Sequence, residues 1–165
     1  MYDFKPDPSM DTTERYRQLA DAVDALTAGE PDPVANMANV AALIWEFLPD
    51  LNWAGFYRIG PAKNGEDELV LGPFVGRPAC IRIPIGRGVC GTAASEAATQ
   101  LVEDVHAFPG HIACDAASRS ELVVPVLRDG AVIAVIDLDS PEPARFTGED
   151  AKGLEMIAAL LATRI

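Results

Sequence analysis

The sequence predicts an α+β domain: an antiparallel β-sheet with helices packed on one face and a loop-roofed ligand pocket on the other. Three observations carry this. Apolar residues recur at helical spacing in two segments near the N-terminus and in one at the C-terminus. The middle of the chain alternates with a period of two and is punctuated by turn-prone Gly, Pro, Asn and Asp. The order runs from helices through a meander of strands to a closing helix, which points to an antiparallel sheet with a helical layer.

The elements follow in order. Residues 11–28 read as a helix, with Tyr16, Leu19, Ala20, Val23 and Leu26 on one face and Gly29 to end it. "PDPVANMANVAALIWEFL" reads as a second helix, capped by Asp32 with Pro33 in its first turn. Its apolar stripe is Val34, Met37, Ala41, Ile44, Trp45 and Leu48. "LNWAGFYRI" and "DELVLGPFVG" form a hairpin across "GPAKNGE", with Trp53, Gly55 and Tyr57 sharing a face of the first strand. "CIRIPI" is a short strand, "GRGVCGTAASEAA" a Gly-rich turn entering a short helix, and "TQLVEDV" a few more strand residues. Residues 106–118 read as a loop, and "ELVVPVLRDGAVIAVIDLDS" as the clearest hairpin in the chain. "RFTGEDAKGLEMIAALLATRI" closes the chain as a helix, with a capping-box pattern at Thr147 and Asp150 and Phe146 placed to staple its first turns.

A length of 165 residues suits one domain spanning 1–165, with residues 1–10 expected to be a flexible N-terminus. The net charge of -12 argues against nucleic acid and against an anionic membrane surface, both of which call for clustered Lys and Arg. No apolar run approaches the roughly 20 residues of a membrane span. The N-terminus has neither a basic start nor an apolar stretch, so it does not read as a secretory signal, and a reducing cytoplasm is expected. Three cysteines with no C-x-x-C pair do not make a disulfide scaffold.

The strand "AVIAVIDLD" changes character along its length. Val132, Ala134, Ile136 and Leu138 point to the expected helix layer, while Ile133, Val135, Asp137 and Asp139 point the other way. Either the strand emerges into water there or the two carboxylates enter a pocket. A two-residue turn at Asp129-Gly130 would set Glu121 opposite Leu138, on the wrong face. A three-residue loop, Arg128-Asp129-Gly130, would pair Leu127 with Ala131 and set Glu121 opposite Asp137. The second register gathers Glu121, Asp137 and Asp139 and is the one expected. Three carboxylates in a partly dry pocket cannot all ionise easily, so at least one could donate a proton, and the set could hold an ammonium group.

Cys114 lies seven residues before Glu121, in the loop that can fold over this acidic end. It reads either as a small buried hydrophobe or as a nucleophile beside an acid. Carboxylates raise a thiol pKa, an effect that Arg119, His111 or a cationic substrate could offset. Cys80 and Cys90 flank "IRIPIGRGV". A second thiol near a catalytic one points to disulfide chemistry, in which a sulfenic acid is trapped and later reduced. Cys90 falls near the start of a short helix, where a thiolate would be favoured. "GRGVCG" at 86–91 matches G-x-G-x-x-G without a surrounding βαβ unit, so no cofactor is expected, although its backbone N–H groups could bind a carboxylate. His106, His111 and Cys114 match no standard zinc spacing, so no metal is expected either. Trp53 and Tyr57 are core aromatics by default, or an apolar wall for a methyl or thioether group if their face is the pocket side.

"NWAGFY", "GRGVCGTAA", "QLVEDVHAFPGHIACDAAS", "SELVVPV", "VIDLDSP" and "ARFTGEDAKGLEMIAALLA" together resemble the free methionine-(R)-sulfoxide reductases, enzymes built on a GAF domain. The resemblance covers nearly the whole chain. It implies that Cys114 is the catalytic cysteine, Cys80 its main resolving partner and Cys90 an additional thiol that can join the exchange. It also implies that Glu121, Asp137 and Asp139 are the acidic pocket residues and Trp53 and Tyr57 the aromatic ones. Free methionine sulfoxide would be the substrate, thioredoxin the electron donor, and a homodimer the assembly. The rival expectations are a non-catalytic GAF module that binds a small ligand, a GAF redox switch that responds to oxidant alone, and a structural thiol or zinc site.

Overall fold

In a computed structural model of the chain, residues 6–7, 9–110, 112 and 115–165 are described. The expected element order is present. Helix α1 (Thr12–Thr27) and helix α2 (Pro33–Phe47) precede strands β1 (Trp53–Pro61), β2 (Asp67–Gly76) and β3 (Arg82–Pro84). Helix α3 (Gly88–Glu96), strand β4 (Gln100–Val102) and a short 3-10 turn (Val105–Ala107) follow. Strands β5 (Ser120–Arg128) and β6 (Ala131–Ser140) and helix α4 (Gly148–Leu161) complete the chain. The six strands form one antiparallel sheet in the order β3-β2-β1-β6-β5-β4.

The helix starts form where their chemistry dictates. Asp11 accepts the Glu14 N–H at the start of α1, and Asp32 accepts the N–H groups of Val34 and Ala35 ahead of Pro33. Thr147 and Asp150 close a reciprocal capping box on α4. Two members of the expected α2 stripe, Val34 and Trp45, are instead exposed. They lie at the margins of an arc filled by Met37, Val40, Ala41, Leu43, Ile44 and Phe47.

Strand alternation divides the interior into two cores. One face of the sheet, including Ala54, Phe56, Leu122, Val124, Ile136 and Leu138, packs beneath α1, α2 and α4. The other face, including Trp53, Tyr57, Val123 and Val135, packs with α3, β3 and the loops. Gly91 permits the close approach of α3, since a Cβ there would lie 2.5 Å from the Pro84 carbonyl oxygen.

The β5–β6 register differs from the expected one. The turn is the two-residue Asp129-Gly130, with φ of +51° and +80°, and Arg128 pairs with Ala131. The ladder then shifts: Leu127 pairs with Val132, but Val126 pairs with Ala134, so Ile133 stands opposite no residue. Glu121 therefore faces Asp139, rather than Asp137 as expected or Leu138 as an unbroken ladder would place it. The bulge also exchanges two side chains. Ile133 packs with the helix-side core and Val132 with the pocket-side core, the reverse of simple alternation.

Ile136 is fully buried between β1 and β5 beneath the helices. Ile136→Ala is expected to lower the unfolding free energy by about 2–5 kcal/mol, read from the urea midpoint at unchanged slope.

Candidate active site

The pocket opens on the second face of the sheet, at the end where β5 and β6 carry their acidic residues. Its walls include Tyr57, Ile83, Arg87, Glu121, Asp137 and Asp139, with Cys90 on the α3 side. An adjoining recess is lined by Trp53, Tyr57 and residues 77–79. The Trp53 ring stacks on Tyr57 at a centroid distance of 5.8 Å and on Phe74 at 5.3 Å. Both aromatics also hold the 77–80 stretch. Trp53 Nε1 donates to the Arg77 carbonyl at 3.2 Å, and the Tyr57 hydroxyl donates to the Cys80 carbonyl at 3.0 Å.

The acidic set is desolvated. Glu121 is 6% exposed and Asp137 5%, while Asp139 is partly exposed. Burial pushes Glu121 well above the ordinary carboxyl range, and the neighbouring Asp137 and Asp139 add to the rise. Burial, with the charge of Asp139, does the same to Asp137. Asp139 is raised to about 7 by burial, against the hydrogen bond from Ser118, which lowers it. The set therefore stores protons near neutral pH, as its clustering in sequence implied. Asp137 Oδ1 is buried without a hydrogen-bond partner among the described residues.

The thiols divide. Cys80 is disulfide-bonded, and Cys90 is a free, buried thiol. Cys114 and His111 lie outside the described residues. The expected thiolate at Cys90 is overturned. The residue is in the first turn of α3, but burial and then the charges of Asp137 and Glu121 push its thiol well above its ordinary value. Desolvation outweighs the favourable end of a short helix. Cys90 Sγ sits 3.9 Å from Glu121 Oε1, and one donor atom each from Cys90, Glu121 and Asp137 lie within 4.8 Å of one another, close enough to share a metal ion. His106 is exposed on the 3-10 turn.

Sequence reading missed four polar residues of the site. Arg87 lines the pocket and is the N-cap of α3, with no side-chain capping bond. Its position between two glycines of the phosphate-loop look-alike was the available signal. Asp115 and Ser118 line the pocket from the loop. Asn52 ties that loop to the sheet, donating to Asp115 Oδ2 at 3.2 Å and Ser118 Oγ at 3.0 Å while its backbone N–H bonds the Asp139 carbonyl. No pattern in the sequence marks Asn52 or Ser118, because their partners are more than sixty residues apart.

The description of the GAF domain matches residues 32–165. The free methionine-R-sulfoxide reductase of Escherichia coli is 51% identical over 152 residues, covering 92% of this chain and 89% of that protein. The chain belongs to the free methionine-R-sulfoxide reductase family of GAF domains. The reductase of that name from Saccharomyces cerevisiae is 42% identical over 158 residues, covering 93% of this chain and 87% of that protein. The crystal structure of the Neisseria meningitidis family member in complex with its substrate superposes with a TM-score of 0.90 at 43% identity, covering 98% of this chain and 94% of that one. The fold expected from the sequence, a GAF domain with its helices on one sheet face, is the fold of the family.

A carboxyl group whose folded-state pKa is raised binds its proton more tightly in the folded chain than in the unfolded one. Asp139, raised from 3.8 to about 7, therefore favours folding below its ordinary value, and this contribution is lost as pH rises through about 7. Stability in urea is expected to fall across that window, with Glu121 and Asp137 acting in the same sense. Asp139→Asn is expected to flatten the fall, and an unchanged slope in the variant would show that Asp139 titrates normally.

Proposed function

We propose that this chain reduces free L-methionine (R)-sulfoxide to methionine, using its own thiols and thioredoxin as the electron source. The observation that carries the reading is the proton-storing set Glu121, Asp137 and Asp139 beside the segment of the disulfide-bonded Cys80. Membership of the family supports the substrate.

In this reading the methyl group of the sulfoxide lies against Trp53. Glu121 and Asp139, opposite one another across the β5–β6 ladder, share the sulfoxide oxygen, and Asp137 holds the ammonium. The carboxylate meets the N–H groups at the start of α3 and the Arg87 side chain, an anion site made by unpaired backbone donors. A peptide lacks both charges and forfeits both anchors.

The Cys114 thiolate attacks the sulfoxide sulfur as the carboxyl pair protonates the oxygen. The oxygen passes to Cys114 as a sulfenic acid, and methionine leaves. The Cys80 thiol then attacks that sulfur, releasing water and leaving a Cys80–Cys114 disulfide. Thioredoxin reduces it, so one sulfoxide and one dithiol yield methionine, water and one disulfide. Among the described cysteines, Cys80 is disulfide-bonded and Cys90 is free with its thiol held protonated; this favours Cys80 over Cys90 as the resolving residue. Cys90 stays the additional thiol. The setting we assign is the reducing cytoplasm, with one domain over residues 1–165 acting as a homodimer and without a resident cofactor. No helix among the described residues is long and apolar enough to cross a membrane.

The test is NADPH oxidation with thioredoxin and thioredoxin reductase on the two sulfoxide epimers of free methionine. Turnover is expected on the R form alone. Cys114→Ser is expected to lower it by at least about 10³-fold and Glu121→Gln by about 10²–10⁴-fold. No turnover on either epimer by folded, reduced protein, with dithiothreitol as donor as well, would overturn the reading in favour of a redox-switch module.

A further inference from the structure

The pocket also has the donor set of a metal site. We propose that Cys90, Glu121 and Asp137 bind a borderline-soft divalent cation of the Zn²⁺ class, and that the bound ion closes the pocket to its substrate. The three side chains come from α3, β5 and β6 and converge with one donor atom each inside 4.8 Å. A tetrahedral Zn²⁺ with bonds of about 2.3 Å to sulfur and about 2.1 Å to oxygen sets its S···O ligand distance near 3.6 Å. Cys90 Sγ and Glu121 Oε1 stand at 3.9 Å, so drawing them onto an ion takes a few tenths of an ångström.

A second observation points to a missing positive partner. Asp137 is 5% exposed, yet its Oδ1 has no hydrogen-bond donor among the described residues. A buried carboxyl oxygen without a hydrogen-bond partner is costly, and a cation coordinated there in exchange for the carboxyl proton removes that cost. Three protein ligands leave a fourth position open toward the cavity, the arrangement of a site that exchanges its ion or a water. One thiolate and two carboxylates around a 2+ ion leave a single negative charge, with Arg87 on the same wall. On binding, the Cys90 S–H bond breaks and an S–metal bond takes its place; the thiol proton, and those that Glu121 and Asp137 hold near neutral pH, go to solvent, and no electron is transferred.

This inference rests on the proposed reading of the pocket, because the ion occupies the Asp137 position assigned to the substrate ammonium. Ion and substrate then exclude one another, and a metal-loaded chain is held inactive with its thiols intact.

The experiment uses the disulfide form of the full chain, in which Cys90 is a free thiol, after treatment with a chelator. Titration with Co²⁺ is expected to give a sulfur-to-cobalt charge-transfer band saturating at one ion per chain, which Zn²⁺ then displaces. Cys90→Ser is expected to abolish the band, and Asp137→Asn to weaken binding at least tenfold. Free methionine sulfoxide, added without reductant so that nothing turns over, is expected to raise the apparent Kd in proportion to its concentration. Absence of the band in the wild-type chain, its persistence in Cys90→Ser, or indifference to the sulfoxide would each overturn the proposal. A chain in which the sulfoxide competes with Co²⁺ at Cys90 but is not reduced in the turnover assay would keep the metal site and overturn the reductase reading instead.

Discussion

Were Ile133 not skipped in the β5–β6 ladder, Glu121 would lie opposite Leu138 and point into the helix-side core. A charge-bearing side chain there would face the layer built from α1, α2 and α4, with no polar partner to receive it. The single bulge moves the pairing by one residue and so brings Glu121 onto the face that carries Asp137 and Asp139. Everything chemical in the pocket presupposes that shift. The β1 strand then supplies its aromatics in phase, with Trp53 opposite Asp139 and Gly55 opposite Asp137.

Gathering the carboxyl groups has electrostatic consequences that reach beyond them. Each is denied water, and each raises the cost of ionising its neighbours, so the group holds protons at a pH where isolated carboxyls have lost theirs. The same field keeps Cys90 a neutral thiol and lifts the Tyr57 hydroxyl far above its ordinary value, burial acting first in both cases. A positive group entering this space meets a set ready to give up protons in exchange for it. That makes the pocket selective for ligands that bring a cation and for reactions that consume a proton.

Much of this was legible in the sequence because it rests on local rules. Asp32 before Pro33, Thr147 three residues before Asp150, and the two-residue alternation of β6 each declare a helix start or a strand face within a few positions. What escaped was non-local. The bulge at Ile133 has no signature of its own, since Asp-Gly accommodates the two-residue turn and the shift falls two pairs beyond it. The Cys90 expectation failed because helix position is local while desolvation by β5 and β6 is not. Asn52 and Ser118 meet only across the fold, and a chain read in one dimension cannot show that.

Two side chains of β1 hold the Cys80 segment through its backbone oxygens: the Trp53 indole grips the Arg77 carbonyl and the Tyr57 hydroxyl the Cys80 carbonyl. Such a tether is blind to the side chains it carries. Residues 77–79 can drift in identity over evolutionary time without loosening it, provided the main chain keeps its course. The two rings have no such latitude, because each serves at once as pocket wall and as mooring. Conservation in this part of the molecule should accordingly concentrate on the anchors in β1 rather than on the strip they hold.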